Sequence, residues 1–358
     1  MVLRMRVLLV CSVVLISGVL MSGCALSYYW QAAAGQLELL NERLPITAVL
    51  DDPAQSAATR EALARTLEMR QFAVAELGLP DNDSYRSYVD LGRPYVVWNV
   101  VVAEEFSVEP RRWCFPVAGC VTYRGYFHKT DAERYAERLS AAGFDVYVAG
   151  ARAYSTLGYF SDPILSTMLT GGEQTIAAVL FHELAHQLFY VKDDTELNEA
   201  FATAIEEYGT QQWLLREGDR SAVEAYRRKL QRREDFNQLI ARQQTRLRAL
   251  YGRPGTPETM RAAKREAFET LTAEFTALRA AWGGAGDYDA WFSRPLNNAQ
   301  LASVATYGRW LPNLRKYLGS HGLDALYAEM KLLEDLPREA RQTRLAALSA
   351  TPFASELR

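Results

Sequence analysis

A chain of 358 residues, 49% hydrophobic and 23% charged, has a globular composition sufficient for one large domain or two ordinary ones, so general disorder is excluded. Its 40 Lys and Arg against 43 Asp and Glu give a formal charge of −3, with no long run of one sign to serve as a nucleic-acid arm. No nucleic-acid partner is expected.

The N-terminus places Arg4 and Arg6 before an apolar run from Val7 to Met21, then Ser22 and Gly23 directly before Cys24. That order reads as a secretory signal with its cleavage site. The run is shorter than the roughly 20 apolar residues of a membrane span and contains Ser and Gly. "MSGC" resembles a bacterial lipobox, with Met21 where Leu is usual. The resemblance implies that Cys24 carries the lipid at the mature N-terminus, and Ala25 after it implies an outer-membrane address facing the periplasm. Cleavage by an ordinary signal peptidase is the alternative. Cys11 lies in the discarded segment, which leaves Cys114 and Cys120 as an even pair around Pro116 and Gly119. A small disulfide loop is expected in an oxidising compartment. A metal site at the two cysteines is the weaker alternative, since no His or Cys pair of ligand spacing adjoins them.

In chain order, the spacing predicts a helix over Trp30 to Leu44 and an amphipathic helix over Ser56 to Leu77, stopped by "GLPDN". Val-rich and aromatic residues predict a strand from Tyr95 to Ala103, with "VTYRGYF" as its candidate neighbour. A short helix closed by Gly143 and a strand in "FDVYVAGARAYST" follow. From Thr175 the strand signal nearly vanishes: one helix runs to Tyr190, and another begins near Asp194, where Asp193 and Glu196 have capping-box spacing. Two long charged helices between Asp219 and Ala281, broken at "GRPGTP", read as an antiparallel hairpin, and helical segments from Pro312 close the chain. The pattern is α+β and predominantly helical, with a small N-terminal sheet. The expected divisions are a signal peptide (1–23), a tether and first helix (24–45), a catalytic core (46–218), the hairpin (219–283) and a C-terminal helical part (284–358).

Within "FHELAHQLFYVKDDTELNEAFA", His182 and His186 stand at i and i+4, so both imidazoles share one helix face and can meet one ion. Glu183 between them completes the H-E-x-x-H pattern of zinc peptidases, in which the carboxylate takes a proton from zinc-activated water. A catalytic zinc needs a third protein ligand and an open position. Glu199, thirteen residues after His186, can meet that demand if its helix folds back on the first. Thr203 and Glu206 lie further along the same side, placed to hydrogen-bond the outer nitrogen of a liganding His. A metzincin is excluded, because Phe189 and Lys192 stand where Gly and His are required. Tyr307 is the first candidate for the donor that stabilises the oxyanion, with His321 and Tyr208 behind it. "AYSTLGYF", Ala153 to Phe160, can serve as a substrate-binding edge strand through Tyr154 and Gly158 or be an ordinary buried strand; Asn297 and Asn298 can hold peptide backbone or form a turn.

"WCFPVAGCVTYRGYF", "AYSTLGYFSDPILSTML", "FHELAHQLFYVKDDTELNEAFAT" and "LNNAQLASVATY", in this order after a lipobox, resemble the bacterial predicted-aminopeptidase family of zinc metallopeptidases. The resemblance implies a zincin-like core of gluzincin type and one Zn²⁺. It also implies ligands at His182, His186 and Glu199, a base at Glu183, and peptide or protein substrates. The Gly-x-Met-x-Asn element with which gluzincin aminopeptidases read a free amine is absent from this chain. Two classes of function therefore stand side by side: a membrane-tethered peptidase, which includes a cell-wall peptide amidase, and an envelope lipoprotein whose zinc-binding domain and hairpin form a non-catalytic scaffold.

Overall fold

The computed structural model describes residues 27–115, 119–156, 158–304 and 309–348. Cys24 and Tyr307 lie outside them. The described chain is mostly helical with three small sheets. No described helix is long and apolar enough to cross a membrane.

Helix α1 (27–42) leads through β1 (Leu44–Pro45) and α2 (Ile46–Asp51) to α3 (Ala57–Ala75), whose N-cap Ser56 accepts a hydrogen bond from the Thr59 amide. β2 (Ser87–Val89) joins β1 antiparallel and β8 (Ile164–Leu165) parallel. A second sheet has the order β6-β3-β7, all antiparallel, from β6 (Arg124–Tyr126), β3 (Val97–Ala103) and β7 (Asp145–Ala151). The continuous apolar run of β3 is explained by cover on both faces. Trp98, Val100 and Val102 pack with Ala132 of α4 (Lys129–Ala141), while Val101 and Ala103 pack against Ala299 and Ala302 of α10 (Asn298–Val304).

The main core lies where α3 meets α5 (Glu173–Leu188) and α6 (Thr195–Arg216), closed by α11 (Leu311–Glu334) and α12 (Arg338–Leu348). Phe72, Leu180, Phe181, Leu197, Phe201 and Leu314 are buried in it. The predicted hairpin is present as α7 (Arg220–Tyr251) and α8 (Pro257–Ala281). Phe236, Leu239 and Leu247 meet Phe268, Leu271 and Phe275 in a separate cluster that also takes in Leu301. Short α9 (Asp289–Phe292) seals that cluster, with Phe292 stacked on Phe275.

Two local expectations are corrected. The described residues of Ala153–Phe160 form no strand: β7 ends at Ala151, Gly158 takes φ +81°, and the buried Asp162 carboxylate accepts both the amide and the hydroxyl of Thr156. The capping box at Asp193 also fails. The N-cap is Asp194, with no side-chain cap bond, and Asp193 sits at φ +65° with its carboxylate turned outward to the Cys120 amide.

Candidate metal and active site

Helix α5 begins after Gly171 and Gly172, both at positive φ, and ends where Phe189 turns extended. A short turn returns the chain into α6. Asn198 fixes this turn: its buried amide accepts from the Val191 N–H and donates to the Val191 C=O, both at 2.8 Å. The residue beside it, Glu199, is thereby aimed back at α5.

The outcome is a convergence of three donor groups. His182 Nε2 lies 3.2 Å from His186 Nε2 and 3.4 Å from Glu199 Oε2, and His186 Nε2 lies 3.7 Å from Glu199 Oε1. Tetrahedral coordination with bonds of about 2.0–2.2 Å separates ligand atoms by about 3.3–3.6 Å, so the cluster has the spacing and the N/O chemistry of a zinc site. Among the described residues this is the group of His, Cys, Asp and Glu able to hold a metal ion.

Electrostatics agree with the spacing. Burial lowers His186 to about 4, so its imidazole is neutral at pH 7 with a lone pair to give. Burial alone would lower His182 too, but hydrogen bonds with Glu199 and Glu206 outweigh it and hold that ring well above its ordinary value. Burial likewise opposes ionisation of Glu199, and His182 and His186 overcome it to keep the carboxyl below its usual range. The proton thus held on His182 supplies positive charge between Glu199 and Glu206, the charge that a bound cation would replace. Glu206 Oε2 reaches His182 Nδ1 at 3.1 Å, an outer hydrogen bond that orients the ring. Thr203, one turn earlier on α6, is buried but is not the residue that makes this contact.

Glu183 is half-buried on the same helix. Burial first, and then the negative charges of Glu199, Asp162 and Glu206, push its carboxyl up to about 7 against the opposing influence of His182. Gln187, one turn on, accepts from Asn82 Nδ2 at 2.7 Å, and Asn82 lines a cavity of about 320 Å³. Gly158 lines that cavity together with Arg43, Asp83, Tyr159 and Phe160, the last two exposed.

Residues 27–345 match the model of a family described as "Putative aminopeptidase". The chain belongs to that family. No curated protein and no solved structure matches it. The description names a peptidase, and in this member of the putative aminopeptidase family the matched span contains every described residue of the cluster.

Other predicted residues have different surroundings. Tyr154 packs edge-to-face on Phe127 at 5.5 Å and is partly buried. Asn298 is corrected as a peptide contact. It is wholly buried, its amide donates to Glu105 O and accepts from Tyr251 O–H, and its backbone N–H is held by Asp145. Asn297 is likewise spent on Val146 O and the Gln300 amide. His321 is exposed and stacks on Tyr317, and Tyr208 packs on the core. Cys114 and Cys120 are disulfide-bonded across the hairpin of β4 (Trp113–Phe115) and β5 (Gly119–Val121).

One residue at the site escaped the sequence reading. Tyr123, just past β5, leaves 37% of its surface exposed. Desolvation, together with the charges of Glu199 and Glu183, raises its hydroxyl above the ordinary tyrosine range. It is a protonated donor within electrostatic reach of Glu199 and Glu183. Its only sequence signal was a place in "WCFPVAGCVTYRGYF", a segment of the family resemblance.

Proposed function

We propose that this protein is a zinc-dependent peptidase, with a zincin-like core and a lipid on Cys24 that tethers it to the bacterial cell envelope. The observation that carries the reading is the convergence of His182, His186 and Glu199 donor atoms 3.2–3.7 Å apart, with Glu183 on the same helix. The disulfide supports the envelope, since such bonds persist in oxidising compartments.

A divalent ion bound there supplies Lewis acidity, which polarises a carbonyl and makes water more acidic. Glu183, with a carboxyl near 7, is suited to accept a proton from the attacking water and return it to the leaving amine. Tyr123 keeps its proton and can donate a hydrogen bond to the oxyanion that develops on the scissile carbonyl. Glu206 holds the His182 ring in one tautomer. The cavity lined by Asn82 offers a peptide residue two aromatic rings and both signs of charge.

The test is metal content and peptide-library cleavage by the full-length protein in detergent, compared with Glu183→Gln. The reading expects stoichiometric zinc in both and cleavage reduced at least about 100-fold in the variant. A wild type without zinc refutes the site. Zinc in both without cleavage by either refutes the peptidase and leaves the scaffold. The mass of the N-terminal fragment tests the lipid on Cys24.

A further inference from the structure

We propose that Arg233, on the helical hairpin, is a positioning residue of the metal centre: by clamping Glu206 it fixes the His182 imidazole and sets the affinity for the divalent ion. The inference rests on the metal-peptidase reading above and assigns the hairpin a part in that same site.

The two oxygens of Glu206 have separate tasks. Oε2 meets His182 Nδ1 at 3.1 Å, and Oε1 accepts from Arg233 Nη1 at 2.9 Å. A buried carboxylate with one oxygen unpaired would be free to rotate away from the imidazole. Arg233 prevents this, and its other terminal nitrogen bonds the neighbouring carboxylate, Glu207. One planar fork therefore straddles two consecutive acids of α6, which a lysine ammonium cannot do with the same rigidity. Glu207 is itself gripped by Arg315 of α11 through two bonds of 2.6 Å, and Arg315 returns to α7 at Glu234, 3.0 Å away. The link to the ligand runs His182, Glu206, Arg233, and the contacts of Arg315 with Glu207 and Glu234 join α6, α11 and α7 beside it. The side chains of Glu206 and Glu207 are 14% and 8% exposed, so solvent does little to replace a lost partner.

A merely structural Arg233 would glue α7 to α6 and nothing more. Arg315 supplies the control, because it binds Glu207 and Glu234 without touching Glu206. Zinc affinity is measured by chelator competition on the full-length wild type, Arg233→Gln, Arg233→Lys and Arg315→Gln. The His182 Nδ1–H signal is followed by NMR in the zinc-loaded forms; only four His are present, which makes it assignable. Changes in the groups that orient a metal ligand typically cost 10–100-fold in affinity. The expected result is a loss of about that size for Arg233→Gln with an altered Nδ1–H signal, a smaller loss for Arg233→Lys, and wild-type affinity for Arg315→Gln. Wild-type affinity in Arg233→Gln overturns the proposal, as does an equal loss in Arg315→Gln. If Arg233→Gln does not fold, Arg233→Lys decides, and unchanged affinity with an unchanged signal overturns it. Absence of zinc from the wild type sinks the underlying reading instead.

Discussion

Gly209 on α6 faces Phe181, the residue before His182, and the substitution Gly209→Ala tests how tightly the two ligand-bearing helices are packed. An added Cβ would stand 2.5 Å from Leu77 Cδ1 and 2.9 Å from Phe181 Cδ2. Leu77 can turn its methyl aside. The Phe181 ring is wholly buried and abuts Phe72 with centroids 5.9 Å apart, so it has little room. Alanine in a helix interior gains about 1 kcal/mol over glycine. Overpacking a tight core costs about 1–3 kcal/mol, and contacts below 3 Å against a fixed ring belong at the upper end. The net expectation is a loss of about 1–2 kcal/mol, read in metal-free urea denaturation as a lower midpoint at unchanged slope. A variant as stable as the wild type, or more so, would refute the reasoning and show that α5 and α6 yield without penalty.

Asn198→Ala leaves the buried Val191 N–H without its partner and takes one of two donors from the Val191 C=O, which keeps the Asp194 N–H; a loss of about 1–3 kcal/mol is expected in the same assay, with weaker zinc binding by calorimetry. The Glu206 carboxyl stands at about 2 in the fold against an ordinary 4.5: burial raises it, but the His182 hydrogen bond and the Arg233 charge prevail. A depressed acid stabilises fully above its unfolded value and loses that contribution as pH falls through the folded one. Glu206→Gln should therefore flatten the metal-free stability profile between about pH 5 and pH 2 by about 3 kcal/mol; His182 is protonated in both states there and adds no slope. An unchanged acid limb in denaturation measurements would contradict the assignment.

The local parts of the site were legible and the distant ones were not. His182, Glu183 and His186 follow from helical periodicity, and Glu199 from a turn short enough to force the second helix back. The alternating cover of β3 and the hairpin of α7 and α8 also announce themselves through apolar spacing. Arg233 could not be found that way: on a helix rich in Arg, Glu and Gln it looks like any solvated charge until the fold sets it against Glu206. Tyr123 is hidden for a similar reason, being one aromatic beside a short strand, tied to Glu199 and Glu183 only through their charges once the chain has folded. The failed strand at Ala153–Phe160 shows how one φ-permissive glycine and one capping acid, Asp162, override an extended pattern.

The donor atoms of the candidate metal cluster come from one helix–turn–helix spanning residues 182–199, whereas Arg233 joins it through Glu206 from the hairpin, and Tyr123 acts on it from a segment far earlier in the chain. Contacts close in sequence form early in folding, because little loop entropy opposes them, and distant ones form late. The capacity to capture an ion is thus expected to arise before the capacity to use it. A nascent chain that has built α5 and α6 already holds the three donors, while the groups that orient and assist them arrive only when the hairpin and the disulfide-bonded strands dock. On the proposed metal-peptidase reading, maturation of this centre is then a matter of assembly order: the ion can help select the correct helix pairing, and hydrolytic competence follows as the last contacts close.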